Sequence, residues 1–160
     1  MRQRNLDQHF MSAAIAKARE GIASGQSPFG AVIVRGGAVV AATHNTVWRD
    51  LDPTAHAEVN CIRCAAKALE AIDLSGCEMF STCEPCPMCL AAIHWAKIDR
   101  VVFGATIADA AGAGFCELHV DAGVLAEMGR SPLRVEGGLL REECAALFAL
   151  WRDAGLCGTY

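Results

Sequence analysis

Three cysteines lie close together in STCEPCPMCL, residues 81–90. Cys86 and Cys89 are three positions apart, so they share one face of the first turn of a helix that begins near Pro87. The positive end of a helix lowers the pKa of a thiol, and we therefore expect both cysteines to bind a metal ion as thiolates. Cys83 comes at the end of the preceding strand, and we expect it to lie off the metal as a buried neighbour.

A histidine and a glutamate in PTAHAEV, residues 53–59, supply what the cysteines lack. Zinc with three protein ligands keeps one position for water, and a neutral imidazole is a common third ligand. His56 can be that ligand, at the point where a loop enters the next helix. The carboxylate of Glu58 can take a proton from the water and pass it to a leaving amine. HxE followed by PCxxC is the pattern of zinc-dependent base deaminases.

Two other interpretations of the cysteines stay open at this point. Cys61-x2-Cys64 and Cys86-x2-Cys89 could together hold a structural zinc ion, but the pairs are 21 residues apart, outside the usual range of about 15–20. The segment VNCIRCAAKAL has helical character and lacks the glycine of a zinc knuckle. A redox pair at Cys86 and Cys89 would need a thioredoxin-like βαβ unit, which the sequence pattern does not indicate. We therefore favour the catalytic site.

The distribution of apolar residues predicts the elements that position these segments. Helical periodicity, apolar strand-like runs and turn residues follow one another in the order α-β-β-α-β-α-β-(α)-β-α. This order predicts a single domain over residues 1–160 with an α/β fold, a three-layer α/β/α sandwich around a mixed five-stranded sheet. The predicted helices are 6–24, 55–69, 87–97 and 139–153, the strands are 29–34, 38–43, 77–82, 100–105 and 133–137, the surface loop is 44–54, and 106–130 hold short helical pieces.

Composition limits the classes of partner. The chain has 160 residues, is 53% hydrophobic and 20% charged, and carries a formal net charge of −4. An acidic chain without a run of Lys or Arg is a poor ligand for long nucleic acid. We expect no secretory signal and no membrane span, because no long uninterrupted apolar run is present. Nine cysteines without an export signal favour a cytoplasmic location and metal ligation over disulfide bonds.

Nearly the whole chain resembles the cytidine-deaminase-like zinc deaminases, and within them the bacterial guanine deaminases. The segments that carry the resemblance are SPFGAVIV (27–34), DPTAHAEV (52–59), CEPCPMCLAAIHWA (83–96), DAAGAGF (109–115) and the terminal GTY (158–160). After AGF the guanine deaminases tend to be acidic, whereas this chain has Cys116 and Glu117. Residues 118–134 resemble the bacterial enzymes less well.

The resemblance implies roles for particular residues. It makes His56, Cys86 and Cys89 the ligands of one Zn²⁺ per subunit, and Glu58 the proton shuttle. Asp109 matches an aspartate that contacts the base and helps to move protons, although an aspartate in this context would otherwise cap a helix. Packing or turn formation would also account for several of the remaining positions. The implied substrate-binding residues are Phe29, Asn45, Ala57, Trp95, Asp109 and Tyr160.

The reaction that the resemblance implies is hydrolytic deamination of guanine to xanthine and ammonia, in purine salvage or catabolism. It further implies a homodimer in which residues 154–160 form a tail, swapped between subunits, whose terminal Tyr160 closes the partner's site. A guanosine-acting branch carries the same HAEV and CEPCPMC segments, so a nucleoside substrate stays an alternative. The tRNA adenosine deaminases share HAE and PCxMC but usually add basic residues for the phosphate backbone. In a zinc-stabilised binding domain, the unliganded carboxylate of Glu58 would have no use.

Overall fold

The computed structural model describes residues 2–159 and confirms the predicted α/β/α sandwich with its mixed five-stranded sheet. The predicted order of elements is also confirmed, and most boundaries lie within two residues of the predicted ones. The elements are α1 Arg2–Ala23, β1 Gly30–Arg35, β2 Ala38–His44, α2 Val47–Asp50, α3 Ala57–Ala68, β3 Cys77–Cys83, α4 Pro87–Trp95, β4 Arg100–Ala105, α5 Ile107–Gly112, α6 Ala122–Met128, β5 Arg134–Glu136 and α7 Arg141–Asp153.

The sheet has the strand order β2-β1-β3-β4-β5. β1 runs antiparallel to β2 and β3, whereas β3, β4 and β5 run parallel. The hairpin between β1 and β2 turns at Gly36 and Gly37, which both have positive φ and so suit a two-residue turn. One edge of the sheet therefore collects the start of β1, the end of β2 and the ends of β3 and β4. We call this edge, at Gly30, His44, Cys83 and Ala105, the site edge.

Helices cover both faces of the sheet and bury two separate apolar clusters. A close approach of α1 to β1 is possible because residue 30 is glycine: a Cβ atom there would lie 2.6 Å from the amide nitrogen of Ala18. The cluster on the face of α1, α5 and α7 includes Phe10, Met11, Phe80, Leu147 and Trp151, and the cluster on the face of α3, α4 and α6 includes Cys61, Met79, Leu90, Ile93 and Ala126.

Two predictions about the elements were wrong: the surface loop at 44–54 and the start of α1. The stretch 44–54 is not only a surface loop, because it contains α2 and buries Val47 at 7% exposure. The loop closes on itself through hydrogen bonds from the Thr46 amide to the Ala55 carbonyl and from the Val47 amide to the Asn45 side chain. α1 begins at Arg2, four residues before the predicted start, because no proline or glycine interrupts the polar first turn.

The opposite edge of the sheet is held by an ion cluster around Arg100, which is 8% exposed. Its guanidinium donates to Asp7 of α1 at 2.8 Å, to Glu78 of β3 at 2.7 Å and to Glu136 of β5 at 2.7 Å. One cation at the start of β4 therefore connects the first helix to both neighbouring strands.

Within residues 2–159, no helix combines the length and the hydropathy that crossing a membrane requires.

Candidate active site

Three side chains that can ligate a metal meet at the site edge. His56 Nδ1 lies 3.5 Å from Cys89 Sγ and 3.8 Å from Cys86 Sγ. One ligand atom from each of the three residues lies within 4.8 Å of the others, and this is the group of metal-ligating side chains found in the described chain. The sequence-predicted set is therefore brought together, and Cys83 lies outside it.

The first residues of two helices position these donors. His56 is the N-cap of α3, with φ −64° and ψ 156°, and Cys86 is the N-cap of α4, with φ −62° and ψ 166°. Pro87 occupies the first helical position of α4, where the missing N–H group costs nothing. Cys89 follows within the same first turn. Both helices thus direct their positive ends towards the donors.

The two thiols have opposite proton affinities. The pKa of Cys86 is lowered to about 4, chiefly by a hydrogen bond from Cys89 and also by one with His56. The pKa of Cys89 is raised, because its proton is shared with the Cys86 thiolate and because the residue is buried. A lowered pKa is therefore found at Cys86 alone in the metal-free pair, and the binding of both cysteines as thiolates stays a prediction. The pair shares one proton, and a divalent cation would take its place.

The donor set fits zinc by its chemistry. Two sulfurs and one imidazole nitrogen form a set of soft and borderline ligands that zinc prefers, and three ligands are the number found in catalytic zinc sites. Burial lowers the pKa of His56, but the hydrogen bond with Cys86 and the charge of Glu58 outweigh it and raise the pKa overall.

Glu58 stands beside these donors without belonging to them. It is 6% exposed, in the first turn of α3, and its Oε1 accepts a hydrogen bond from Ser81 Oγ at 3.0 Å. The Cys89 thiol donates to the other oxygen at 3.5 Å. Burial raises the pKa of Glu58 above its ordinary value. A buried carboxyl with a raised pKa is suited to accepting and returning a proton.

A cavity of about 230 Å³ opens in front of His56 and Glu58. Its apolar walls include Phe29, whose ring centroid lies 4.9 Å from that of Phe115 in an edge-to-face arrangement. Cys83 also lines the cavity, and its thiol donates to the Thr106 carbonyl at 3.6 Å. The lining residues are Phe29, Pro53, His56, Glu58, Cys83, Glu84, Cys86, Pro87, Met88, Phe115, Cys116, Glu117 and Leu118.

Two of the predicted substrate-binding residues are buried at the site edge but do not line this cavity. Asn45 is 0% exposed, and its side-chain oxygen accepts from the Val47 amide at 3.1 Å. Ala57 is the first residue of α3, and its carbonyl accepts from Thr43 Oγ1 at 2.8 Å. Both residues hold the loop and helix that carry His56.

The structure places Asp109 away from the cavity, which corrects the role that the resemblance implied. Its carboxylate forms a capping box with Thr106 at the start of α5. It also accepts two hydrogen bonds from Arg141, at 3.0 and 3.1 Å. The hydrogen bonds from Arg141 and Thr106 lower the pKa of Asp109 to about 2. Asp109 therefore holds α5, as the helix-cap alternative predicted.

Trp95 and Tyr160 were both predicted to bind substrate, but the structure describes only Trp95. Trp95 ends α4 and is 80% exposed, so the structure shows it neither in the core nor at the cavity of its own chain. Tyr160 lies outside the described residues. The described part of the tail packs on its own chain: a Cβ atom at Gly158 would lie 2.9 Å from the Trp48 ring, and one at Gly114 would lie 3.6 Å from Thr159.

Sequence reasoning missed the wall that faces the donors. Residues 113–121, which we call the covering segment, connect α5 to α6 and place Phe115, Cys116, Glu117 and Leu118 at the cavity. Glu117 is half-buried, and burial raises its pKa. The only signal in the sequence lay after AGF, where the resemblance expects acidic residues: Cys116 departs from that expectation, whereas Glu117 meets it.

Comparison with known proteins agrees with this geometry. Residues 4–105 match the cytidine and deoxycytidylate deaminase zinc-binding region. The chain belongs to this family. Its members are hydrolytic deaminases. The His/Cys/Cys group of this deaminase lies within the residues that match the zinc-binding region.

Relatives with different substrates resemble this deaminase. It is 50% identical to the guanine deaminase of Bacillus subtilis over 107 residues, which are 66% of this chain and 69% of that protein. It is 34% identical to the tRNA-specific adenosine deaminase of the same organism over 143 residues, 89% of this chain and 86% of that one. The guanine deaminase structure from Nitrosomonas europaea has a TM-score of 0.81 at 27% identity, covering 91% of this chain and 84% of that one.

Proposed function

We propose that this protein catalyses the hydrolytic deamination of guanine to xanthine and ammonia. The observation that carries the proposal is the cavity of about 230 Å³ in front of His56, Cys86 and Cys89, whose walls include aromatic rings and carboxyl groups. Pockets for drug-sized ligands usually measure about 300–1,000 Å³, so this one suits a single base better than a nucleoside. The 50% identity to a guanine deaminase supports the same substrate.

One zinc ion per subunit would be held by His56, Cys86 and Cys89. When bound, the ion supplies a Lewis acid that lowers the pKa of water in the site. Groups of the protein itself supply the remaining chemistry. The positive ends of α3 and α4 point towards the donors and favour negative charge on them, and the burial of Cys89 keeps solvent from competing for the site.

Glu58 moves the protons of the reaction. Its carboxylate takes a proton from the attacking water and delivers it to the ring nitrogen beside the carbon that carries the exocyclic amine. When the C–N bond to the amine breaks, the proton of the new hydroxyl group passes by way of a carboxyl group to the amine, which leaves as ammonia while the C=O bond of xanthine forms. Ser81 holds one oxygen of Glu58 at 3.0 Å, and the other oxygen, which accepts from the Cys89 thiol at 3.5 Å, would face the reacting atoms once Cys89 binds the metal as a thiolate.

The cavity wall opposite the metal-ligating residues supplies the groups that would recognise the substrate. Phe29 and Phe115 provide apolar surfaces for a planar ring, and the half-buried Glu117 is a carboxyl group at the cavity in addition to Glu58 and Glu84. Burial raises the pKa of Glu117 above the ordinary value, and as a carboxylate it can accept hydrogen bonds from the N–H groups of a purine. Glu117 takes the place that the resemblance gave to Asp109.

A homodimer is part of the proposal, because large apolar side chains are exposed on the neighbouring helices α4 and α6. Trp95 is 80% exposed, Met128 76% and Val124 50%, and Met88, at 36%, lies both on this face and in the cavity wall. Burial of such a face by a second copy would remove a patch that a monomer rarely exposes. We expect Met128→Asp to shift the protein to a monomer in light-scattering chromatography, whereas Ile72→Asp, at a residue elsewhere that is 90% exposed, should not.

An ammonia-release screen tests the substrate. Zinc-loaded protein would be supplied separately with guanine, guanosine, adenine, adenosine, cytosine, cytidine and a tRNA anticodon stem-loop. We expect release from guanine well above all others. Turnover of guanosine alone would show that the cavity opens for a ribose, and turnover of none of them would remove the proposal.

The tRNA substrate is the second candidate, because the tRNA-specific adenosine deaminase of Bacillus subtilis matches 89% of this chain. The formal net charge of −4 works against it, since binding to a phosphate backbone depends on Lys and Arg. Release from the stem-loop that weakens steeply with added salt would favour this candidate over guanine.

A further inference from the structure

A buried carboxylate next to the cysteines has a role that the reaction above does not use. Glu84 follows Cys83 directly and is 7% exposed. Its Oε2 accepts a hydrogen bond from the Ile107 amide at 3.0 Å, and its Oε1 accepts one from the Ala122 amide at 2.9 Å. Each oxygen therefore satisfies the first N–H group of a different helix, α5 and α6.

These two helices enclose the covering segment. α5 ends at Gly112 and α6 begins at Ala122, so residues 113–121 are the chain between them. The backbone of Glu84 is also fixed. Its amide donates a hydrogen bond to the Ala105 carbonyl at 2.8 Å, which holds Glu84 at the site edge. One side chain thus joins the loop that carries Cys86 to both flanks of the opposite cavity wall.

We propose that Glu84 is a positioning residue that sets the substrate affinity of the site by holding the covering segment against the cavity. The inference rests on the proposed function for its substrate. Hydrogen bonds to a charged acceptor are roughly twice as strong as neutral ones, and a buried N–H group that loses its acceptor is costly. When the docked form of a wall is less populated, the apparent affinity for the ligand falls by the same fraction.

Glu84→Gln tests this role, because glutamine has one acceptor oxygen for two amide donors. We expect KM for guanine to rise about tenfold or more, with a much smaller change in kcat and unchanged zinc content. Amide hydrogen exchange over residues 113–121 should also accelerate about tenfold or more in the zinc-loaded protein without substrate. A lower Tm with unchanged KM and unchanged exchange would overturn the proposal, as would loss of zinc.

Two further variants separate positioning from general destabilisation. Asp121→Asn removes the same charge near the start of α6 while asparagine still caps the helix, so KM and exchange should stay at wild-type values. Ala122→Pro deletes the N–H group that donates to Glu84 Oε1, at a first helical position that tolerates proline, and adds ring atoms at a buried residue. It should reproduce the effect of Glu84→Gln even if that variant does not fold, and wild-type exchange in Ala122→Pro would contradict the proposal.

The exchange measurement also separates this inference from the function on which it rests. If the wild-type protein deaminates no purine, the proposed function fails, while faster exchange over 113–121 in both variants would still support the role of Glu84. If guanine is the substrate and the exchange does not change, the positioning role alone fails.

Discussion

The two walls of the cavity are built differently. The donor wall consists of the first turns of α3 and α4, so each reactive atom is fixed by helical hydrogen bonds and by burial. The covering segment has no regular structure over residues 113–121, and it depends on its flanks and on Glu84. The difference indicates that this molecule keeps its chemistry on rigid elements and its substrate contacts on a connection that can vary.

The largest effect should come from breaking the donor wall. Cys86→Ala removes a metal ligand, and we expect most of the bound zinc and nearly all activity to be lost, measured by elemental analysis and ammonia release. Cys83→Ala is the matched control, since this thiol lines the cavity but lies outside the donor group. It should keep most of the zinc. Equal zinc loss in both variants would contradict the assigned ligand set.

Glu58→Gln should give the next largest effect. Glutamine keeps the size and the contact with Ser81 but cannot carry a proton between water and the base. We expect kcat to fall about 100-fold or more, the usual scale for loss of a general acid–base group, while zinc content stays at the wild-type level. Near-normal turnover would remove Glu58 from the mechanism.

Deletion of residues 158–160 should have a smaller effect, confined to the covering side. The described tail packs on Trp48 and reaches Gly114, next to the covering segment. We expect zinc content and Tm to stay unchanged, and KM for guanine to rise several-fold because the wall loses its support. Cys157→Ser, an exposed change in the same tail, is the control. Unchanged kinetics after the deletion would show that the tail does not contribute to the site. A swap of residues 154–160 between subunits would then have no effect on catalysis to explain it.

The smallest effect belongs to Asp109→Asn. If Asp109 only holds α5, KM and kcat should stay near wild type, while Tm at neutral pH falls by at most about 2–4 °C, because a partly exposed ion pair contributes up to about 1 kcal/mol. The pKa of Asp109 in the folded protein is about 2, below the value of about 3.9 expected when unfolded. The stabilisation is therefore present above about pH 4 and lost as the pH falls towards about 2, where the Tm difference should close. A large fall in kcat would restore the catalytic role.

The donor wall could be predicted from the sequence because metal chemistry and helix starts both restrict residue types. His56, Cys86 and Cys89 are recognisable by type and spacing, and Pro87 marks where α4 begins. The site edge also followed from the order of strands, since the connections place their ends together. These are local rules, and each can be applied to a short segment of sequence.

The covering segment could not be predicted in the same way. It has no periodicity, so its position depends on long-range contacts such as those of Glu84 with Ile107 and Ala122, which are 23 and 38 residues away. Asp109 shows the same difficulty, because its partner Arg141 is 32 residues away. A motif can indicate which residue types are present, but the hydrogen-bond partner decides whether a carboxylate faces the substrate or a helix.

The Arg100 cluster lies apart from the cavity, so the cavity can change in evolution while the fold is kept. Its ions lie at the edge of the sheet opposite the reactive groups, so the anchor that ties α1, β3 and β5 together shares no side chain with the cavity. Substitutions that reshape the cavity therefore leave this anchor intact, and a lineage can exchange one substrate for another without first rebuilding its framework. Relatives named for guanine and for tRNA adenosine, both similar to this one chain, are the outcome that such a separation permits.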